Sequence, residues 1–251
     1  ATDGERIWNY RQAMTAARLP ESLLVVGSGA IGIEFASLFA EFGVQVTVVE
    51  VADRIVPNED AEVSEYARKQ FEARGIRFIT EAKVTAIEPT SSALNAVIET
   101  ASGATHETFE RALVAVGVLG NSDSLALDKA GVELSGTSVK TDKWGQTNIP
   151  SVWAIGDVAG GPWLAHKASH EAVLAVEKIA GYGHGQAINR DNIPGCTYSF
   201  PQIASVGLTE QQAVEAGHTI RKGQFPFIGN GKALALGDSE GFIKTIVDDE
   251  T

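Results

Sequence analysis

The chain has 251 residues, 44% of them hydrophobic, and a formal net charge of −12. That is length for two compact units, and the charge argues against nucleic acid or an anionic membrane surface as a partner. No apolar run approaches bilayer-spanning length, no signal-peptide pattern opens the sequence, and the single cysteine, Cys196, precludes an intrachain disulfide and fits a reducing cytoplasm. As a lone thiol, Cys196 reads as a small buried hydrophobe.

Residues 1–20 are polar, with a short helical stretch from Arg11 to Ala17 closed by Pro20, and read as a linker into a domain already under way. A dinucleotide unit is expected over 21–118. It opens on Leu23-Leu24-Val25-Val26-Gly27-Ser28-Gly29-Ala30-Ile31-Gly32-Ile33-Glu34, an apolar run that breaks at three glycines and resumes at helical spacing. The pattern predicts a buried parallel strand, a tight turn and a helix. Gly27 permits the turn, Gly29 lets a pyrophosphate approach the backbone, and Gly32 lets the helix pack against the strand. Unpaired amides and the positive dipole end at the helix start supply an anion site.

Gly43 to Glu50 forms the second strand, and Glu50 lies eighteen residues beyond Gly32. There a dinucleotide fold places the carboxylate that accepts both adenosine ribose hydroxyls. A carboxylate repels a 2′-phosphate, and Arg54, the nearest cation, lies past the strand end; the reading is NAD rather than NADP. The alternative, a glycine turn in some other α/β unit with Glu50 a solvated strand end, is disfavoured because strand, turn, helix, strand and acid occur in order.

Glu59-Asp60 then lead an amphipathic helix through Val63, Tyr66, Ala67, Gln70 and Phe71, stopped at Gly75, before a third strand at 76–79. Residues 83–88 and 95–100 alternate as antiparallel strands around a Ser-rich turn. Arg111 to Gly117 is a buried strand returning to the parallel sheet, with Gly117 at the carboxyl end, where such sheets bind ligands. After a loop-like stretch from Leu119 to Leu134, residues 149–157 are expected as a strand ending in Gly156-Asp157, followed by a glycine-rich turn. A helix from about Leu164 to Ala180 has its apolar face marked by Ala168, Val173, Val176 and Ile179. Asp157 either accepts hydrogen bonds from a polyol or caps a turn. The amides around Leu164, Ala165 and His166 are placed to steady negative charge on a heterocycle. A joint at Gly181-Tyr182-Gly183-His184-Gly185 leads to extended segments at 197–201 and 203–207. A capped helix from Thr209 to Gly217 and strands at 221–227 and 242–247 follow, the start of an antiparallel α+β domain.

Four stretches carry a resemblance: Gly27 to Phe35, Ala154-Ile155-Gly156-Asp157-Val158, Gly161-Pro162-Trp163-Leu164-Ala165-His166-Lys167-Ala168, and Ile193-Pro194-Gly195-Cys196-Thr197-Tyr198. Over essentially its whole length the chain resembles the flavin-dependent pyridine nucleotide–disulfide oxidoreductases, and the Leu164–Ala168 run points to their lipoamide branch rather than the glutathione branch. The resemblance implies an α/β chain in three parts. A Rossmann-like NAD-binding domain (21–118) carries a three-stranded antiparallel insertion, the C-terminal part of an FAD-binding domain follows (119–192), and an α+β interface domain begins at 193 and runs to 251. It implies that Gly27, Ser28, Gly29, Ala30, Ile31, Gly32 and Glu50 bind NAD, with Val84 near the adenine and Gly117 near the nicotinamide end. Ala30 falls where relatives carry a larger residue gating the nicotinamide pocket. Glu34 would lie close to the flavin, able to pair with a lysine outside this chain. Asp157 would bind the FAD ribityl chain, with Trp163, Leu164, Ala165 and His166 along the flavin edge and His166 acting through its backbone rather than as a base.

The departures shape the expectation equally. The family's redox cysteine pair, the dinucleotide loop of its first flavin segment and its His-Pro…Glu motif are absent, and none of His106, His166, His170, His184 or His218 precedes a proline. The arginine that many relatives carry just after the Gly117 position is missing too. The expectation is an internal piece of a longer enzyme, without catalytic residues or metal ligands of its own and inactive alone. The whole would oxidise dihydrolipoamide on lipoyl domains to lipoamide and reduce NAD, as a homodimer in a 2-oxoacid dehydrogenase complex. The alternatives are a sister flavin disulfide reductase of the mercuric type and a non-catalytic dinucleotide-binding module.

Overall fold

Strands buried on both faces are near-continuous apolar runs, and Leu23–Val25 and Val46–Val49, apolar but for Thr47, lie in a five-stranded parallel sheet. The computed structural model describes residues 2–182 and 187–250, divided into two compact units, Ala1–Gly117 with Cys196–Thr251 and Val118–Gly195. The first piece of the first unit runs β1 (Ile7–Trp8), α1 (Tyr10–Met14), β2 (Ser22–Val26), α2 (Ala30–Glu41), β3 (Gln45–Val49), α3 (Ala61–Ala73) and β4 (Arg77–Ile79). It continues through β5 (Lys83–Pro89), β6 (Leu94–Thr100), β7 (Gly103–Phe109) and β8 (Arg111–Val114). The parallel sheet has the order β1-β8-β2-β3-β4.

Its two faces are covered differently. On one, Ile33, Ala36 and Phe39 of α2 and Ala67 and Phe71 of α3 pack with Leu23, Val25, Val48 and Leu113. On the other, Leu24, Val49 and Ala112 meet Leu94, Ala96, Ile98 and Phe109 of the antiparallel sheet β5-β6-β7. Leu94, Ala96 and Ile98 alternate along one strand, so a single face of that sheet is committed to the core. The stretch read as a linker contributes β1, whose Ile7 and Trp8 pair with Ala112 and Leu113, and α1, closed by a capping box between Asn9 and Gln12. A two-residue strand has no periodicity to announce it. The strand expected to reach Gly117 ends at Val114; Gly117 lies beyond it with φ +130°.

The second unit contains the short pair β9 (Leu134–Ser135) and β10 (Ser138–Val139), then α4 (Ala165–Ile179). The strand expected over 149–157 does not form. Only Trp153 bridges, to Gln146; the amides of Thr147, Val152 and Ala154 donate to Val152, Ile149 and Gly145, so this backbone is satisfied within its own fold-back. The packed side of α4 also differs from the one read from its apolar residues. Lys167 and Ala175 are buried, while Val173, Val176 and Ile179 are 57%, 63% and 60% exposed. Polar contacts of Lys167 and Glu171, described below, turn that side inward. Of the expected joint at 181–185, residues 183–185 lie outside the described residues. Cys196, expected to be buried, is half-buried.

The remaining elements are β11 (Gly195–Thr197), β12 (Ile203–Ser205), α5 (Glu210–Glu215), β13 (Ile220–Pro226), α6 (Gly231–Leu236) and β14 (Phe242–Asp248), with β13 and β14 antiparallel. Thr209 and Gln212 close the capping box of α5. This second piece of the first unit joins the first through apolar, aromatic and ionic contacts. Ile203 enters the core beside α2 and α3, Phe242 meets Tyr66 edge-on at 5.3 Å, and the Arg74 guanidinium stacks 3.8 Å over the Phe200 ring.

Lys244 is the ionic tie. Its side chain is 6% exposed, and its Nζ lies 2.8 Å from Asp60 Oδ1, 2.7 Å from Glu210 Oε2 and 3.3 Å from Glu62 Oε2. Burial alone would lower the pKa of this ammonium, but the three carboxylates outweigh it and raise the pKa above the ordinary lysine value. Burial likewise pushes the Asp60 carboxyl up, yet the hydrogen bond from Lys244 and the amides of Glu210 and Glu62 hold it below its ordinary 3.8. A carboxyl depressed on folding contributes stability that is complete above its ordinary value and lost as pH falls through the folded one. Lys244→Met is therefore expected to destabilise the first unit at neutral pH by about 2 kcal/mol. Urea unfolding at two pH values checks it: the difference shrinks in acid, where protonated Asp60 no longer needs the cation.

Candidate functional site

The turn between β2 and α2 is shaped by three glycines with three different surroundings. Gly27 has φ +99°, and a Cβ there would lie 2.6 Å from the Ala115 carbonyl oxygen. At Gly32 a Cβ would lie 2.0 Å from the Gly27 carbonyl oxygen and 3.5 Å from Val25, so α2 approaches its own turn too closely for any side chain. Gly29 differs: it has ordinary extended backbone, caps α2 without a side chain, and its Cβ position faces open space to 4 Å. The amides of Ala30, Ile31 and Gly32 have no intrahelical acceptor and stand at the positive end of the α2 dipole. A bare backbone cradle of this kind fits a pyrophosphate.

Glu50, just past β3, is 7% exposed. Its Oε2 accepts the Ser28 N–H at 2.8 Å and the Ser28 hydroxyl at 2.7 Å, and Oε1 accepts the Ala52 N–H at 2.9 Å. Burial pushes this carboxyl up, but the hydrogen bonds from Ala52 and Ser28 outweigh it and hold the carboxyl below the ordinary glutamate value; it is a carboxylate at neutral pH. A carboxylate offers about four acceptor positions, and these donors fill most of them. Ser28 is the hub of the turn: its carbonyl also accepts the N–H of Val56 at 3.1 Å. Val56 is a β-branched residue at φ +38°, a strained conformation held by its surroundings.

The other residues expected around this site fall in several places. Ala30 is exposed and Ile31 half-buried at the start of α2. Val84 sits where the β5–β6 register shifts and packs against the second core cluster. Gly117 is exposed. Glu34 is engaged by a neighbour that sequence reading did not foresee: its Oε1 accepts the Tyr198 N–H at 2.8 Å, and Ser37 Oγ, one turn along α2, accepts the Phe200 N–H at 2.9 Å.

In the second unit, Asp157 lies in a single 3-10 turn, Gly156–Ala159, rather than at a strand end, and its side chain is exposed. The Trp163 indole N–H donates to the Asp157 carbonyl at 3.2 Å. Leu164 caps α4 with no side-chain hydrogen bond, leaving the amides of Ala165, His166 and Lys167 without intrahelical acceptors. An exposed carboxylate and an open helix N-terminus close together in sequence fit a polyol-bearing, partly anionic group such as FAD. His166 makes a side-chain contact besides any backbone role: its Nε2 lies 2.8 Å from the Pro194 carbonyl oxygen. Sequence reading missed Lys167 and Glu171. Lys167 Nζ donates to the Gly156 and Gly160 carbonyls at 3.2 and 2.9 Å and to Glu171 Oε2 at 3.0 Å, and the same Oε2 accepts the Gly156 N–H at 2.7 Å. The available signal was a lysine and a glutamate four residues apart in the resemblance-bearing helix. Among the described residues no group of His, Cys, Asp and Glu side chains is placed to hold a metal ion.

Residues 1–172 match the family model described as pyridine nucleotide-disulphide oxidoreductase, and residues 193–251 match that of its dimerisation domain. Dihydrolipoyl dehydrogenase of Zymomonas mobilis is 51% identical over 98% of this chain and 53% of its own length. That of Rhizobium etli is 50% identical over 99% of this chain and 52% of its own. Among solved structures, LpdA from Mycobacterium tuberculosis matches with a TM-score of 0.89 at 29% identity, covering 99% of this chain and 54% of that one. The HOCl-induced flavoprotein disulfide reductase RclA from Escherichia coli matches with 0.89 at 27%, covering 100% and 56%. The chain thus spans about half the length of these relatives. A pyridine nucleotide and a flavin are both written into these names. The chain belongs to the pyridine nucleotide–disulphide oxidoreductase family.

Proposed function

We propose that the protein oxidises dihydrolipoamide to lipoamide and reduces NAD with FAD as the intermediate carrier. What carries the reading is identity of about half to two dihydrolipoyl dehydrogenases over nearly the whole chain. In this reading residues 21–118 are the NAD domain, 119–192 the C-terminal part of the FAD domain and 193–251 the interface domain of a homodimer. The substrate dithiol is carried on lipoyl domains of a 2-oxoacid dehydrogenase complex in the cytoplasm. No helix among the described residues is long and apolar enough to cross a membrane.

When bound, FAD supplies two-electron chemistry and NAD accepts a hydride. The residues of this chain bind and orient. The amides of Ala30, Ile31 and Gly32 would hold the NAD pyrophosphate, with Gly27 and Ser28 shaping the turn. Glu50 would accept from a ribose hydroxyl and repel a 2′-phosphate. Val84 borders the adenine and Gly117 the nicotinamide end. Asp157 accepts hydrogen bonds from the ribityl hydroxyls of FAD, and Trp163, Leu164, Ala165 and His166 border its ring system, where the α4 dipole favours negative charge.

Dihydrolipoamide-dependent reduction of NAD by the full natural protein, with NADP alongside, tests this. Turnover with NAD and little with NADP is expected. A preference for NADP overturns the role of Glu50. Flavin reduction by NADH without dihydrolipoamide turnover overturns the substrate and points to a sister disulfide reductase, the class to which RclA belongs by name.

A further inference from the structure

Lys167 occupies a place that helix electrostatics disfavour. Its side chain is 1% exposed in the first turn of α4, where the helix dipole opposes a cation. Its partner Glu171 follows four residues later, the less favourable order for such a pair. Burying both charges adds a desolvation cost. The contacts that offset this converge on one place. All three ammonium donors are used, two on the carbonyls of Gly156 and Gly160 and one on Glu171, and Glu171 reaches the Gly156 N–H. These groups bracket Asp157 on both sides. The turn between has little of its own to hold it: Gly156 and Gly160 have φ +70° and +95°, and one backbone bond, Gly160 N–H to the Asp157 carbonyl at 3.1 Å, closes it. The Asp157 side chain is exposed. The turn is gripped from behind and its carboxylate is presented in front.

We propose that Lys167 and Glu171 are positioning residues that hold the Gly156–Gly160 turn in the form that offers Asp157 to FAD; this rests on the assignment of Asp157 to the ribityl chain. Neither residue touches the cofactor. They act through Asp157, and that is the property a general stabilising role would not share.

The test is a double-mutant cycle on the full natural protein, reading the FAD dissociation constant by flavin fluorescence titration of the apoprotein, with circular dichroism as the check on folding. Lys167→Met is expected to weaken FAD by about ten-fold or more, the scale of a charge-assisted hydrogen bond. Asp157→Ala is expected to weaken it similarly. The double variant should be no weaker than Asp157→Ala alone, because the clamp has nothing left to position. Independent, additive losses overturn the proposal, as does unchanged FAD affinity in Lys167→Met. If Lys167→Met does not fold, Glu171→Gln takes its place in the same cycle with the same criteria. A wild-type protein that takes up no FAD, or an Asp157→Ala variant that binds it normally, instead overturns the cofactor assignment beneath.

Discussion

Gly32→Ala is expected to destabilise the first unit by about 3 kcal/mol, lowering its melting temperature by about 6–12 °C. The added methyl would start 2.0 Å from the Gly27 carbonyl oxygen, more than an ångström inside van der Waals contact. That oxygen belongs to backbone and cannot rotate away. Relief requires α2 to lift from β2, and Ile33, Ala36 and Phe39 would leave the core with it. Gly29→Ala is the informative companion. Its Cβ meets nothing within 4 Å and its φ of −65° suits any residue, so the melting temperature is expected to stay within a degree or two. NAD affinity is expected to fall in both variants, because the methyl at 29 stands in the space before the α2 amides. Thermal unfolding and NAD titration on the two proteins separate the roles. Equal melting temperatures would show that the close approach at Gly32 is not needed for stability.

Glu50→Gln is expected to cost about 2–3 kcal/mol at neutral pH, although the two side chains have nearly the same shape. The carboxylate receives backbone N–H groups on both oxygens, from Ser28 and from Ala52. An amide has one oxygen, so in either orientation its NH2 faces a buried backbone donor. The pH dependence identifies the cause. Because the folded carboxyl sits below its ordinary value of 4.5, its contribution is complete above that value and drains away as pH falls through the folded one. Protonated Glu50 has the same donor conflict as glutamine, so wild type and variant should converge in acid. Urea unfolding at neutral and acidic pH measures this, and a gap independent of pH would mean that charge plays no part. The variant should also lose discrimination against NADP, since the repulsion of a 2′-phosphate goes with the charge.

The parts of the fold legible in the sequence are those whose physics is local. Leu23–Val25 and Val46–Val49 announce buried strands because they are apolar in all but the hydroxyl of Thr47, and the glycine spacing announces a turn whose three members differ as the geometry requires. Other features depend on distant partners. An apolar run bounded by turn signals looks the same whether or not another strand pairs with it, and residues 149–157 have no ladder beyond Trp153. Composition assigns lysine to the surface, so Lys167 and Lys244 were invisible as buried ties. The side of α4 that packs was misread for the same reason, since Lys167 is one of its buried positions.

The first unit is assembled from two stretches of chain separated by the roughly 80 residues of 118–195. As a matter of equilibrium the interruption is mild, since closing a longer loop costs only about 0.6 kcal/mol per doubling. As a matter of timing it is not. At common rates of synthesis the ribosome spends about 4–16 s on the intervening stretch. During that time the sheet is complete but Ile203 has not been made, and Asp60 and Glu62 face one another without Lys244. The newborn domain therefore passes through a stage with an open apolar seam and an unneutralised acidic corner. Of the ties described here, Lys244 is the last to emerge.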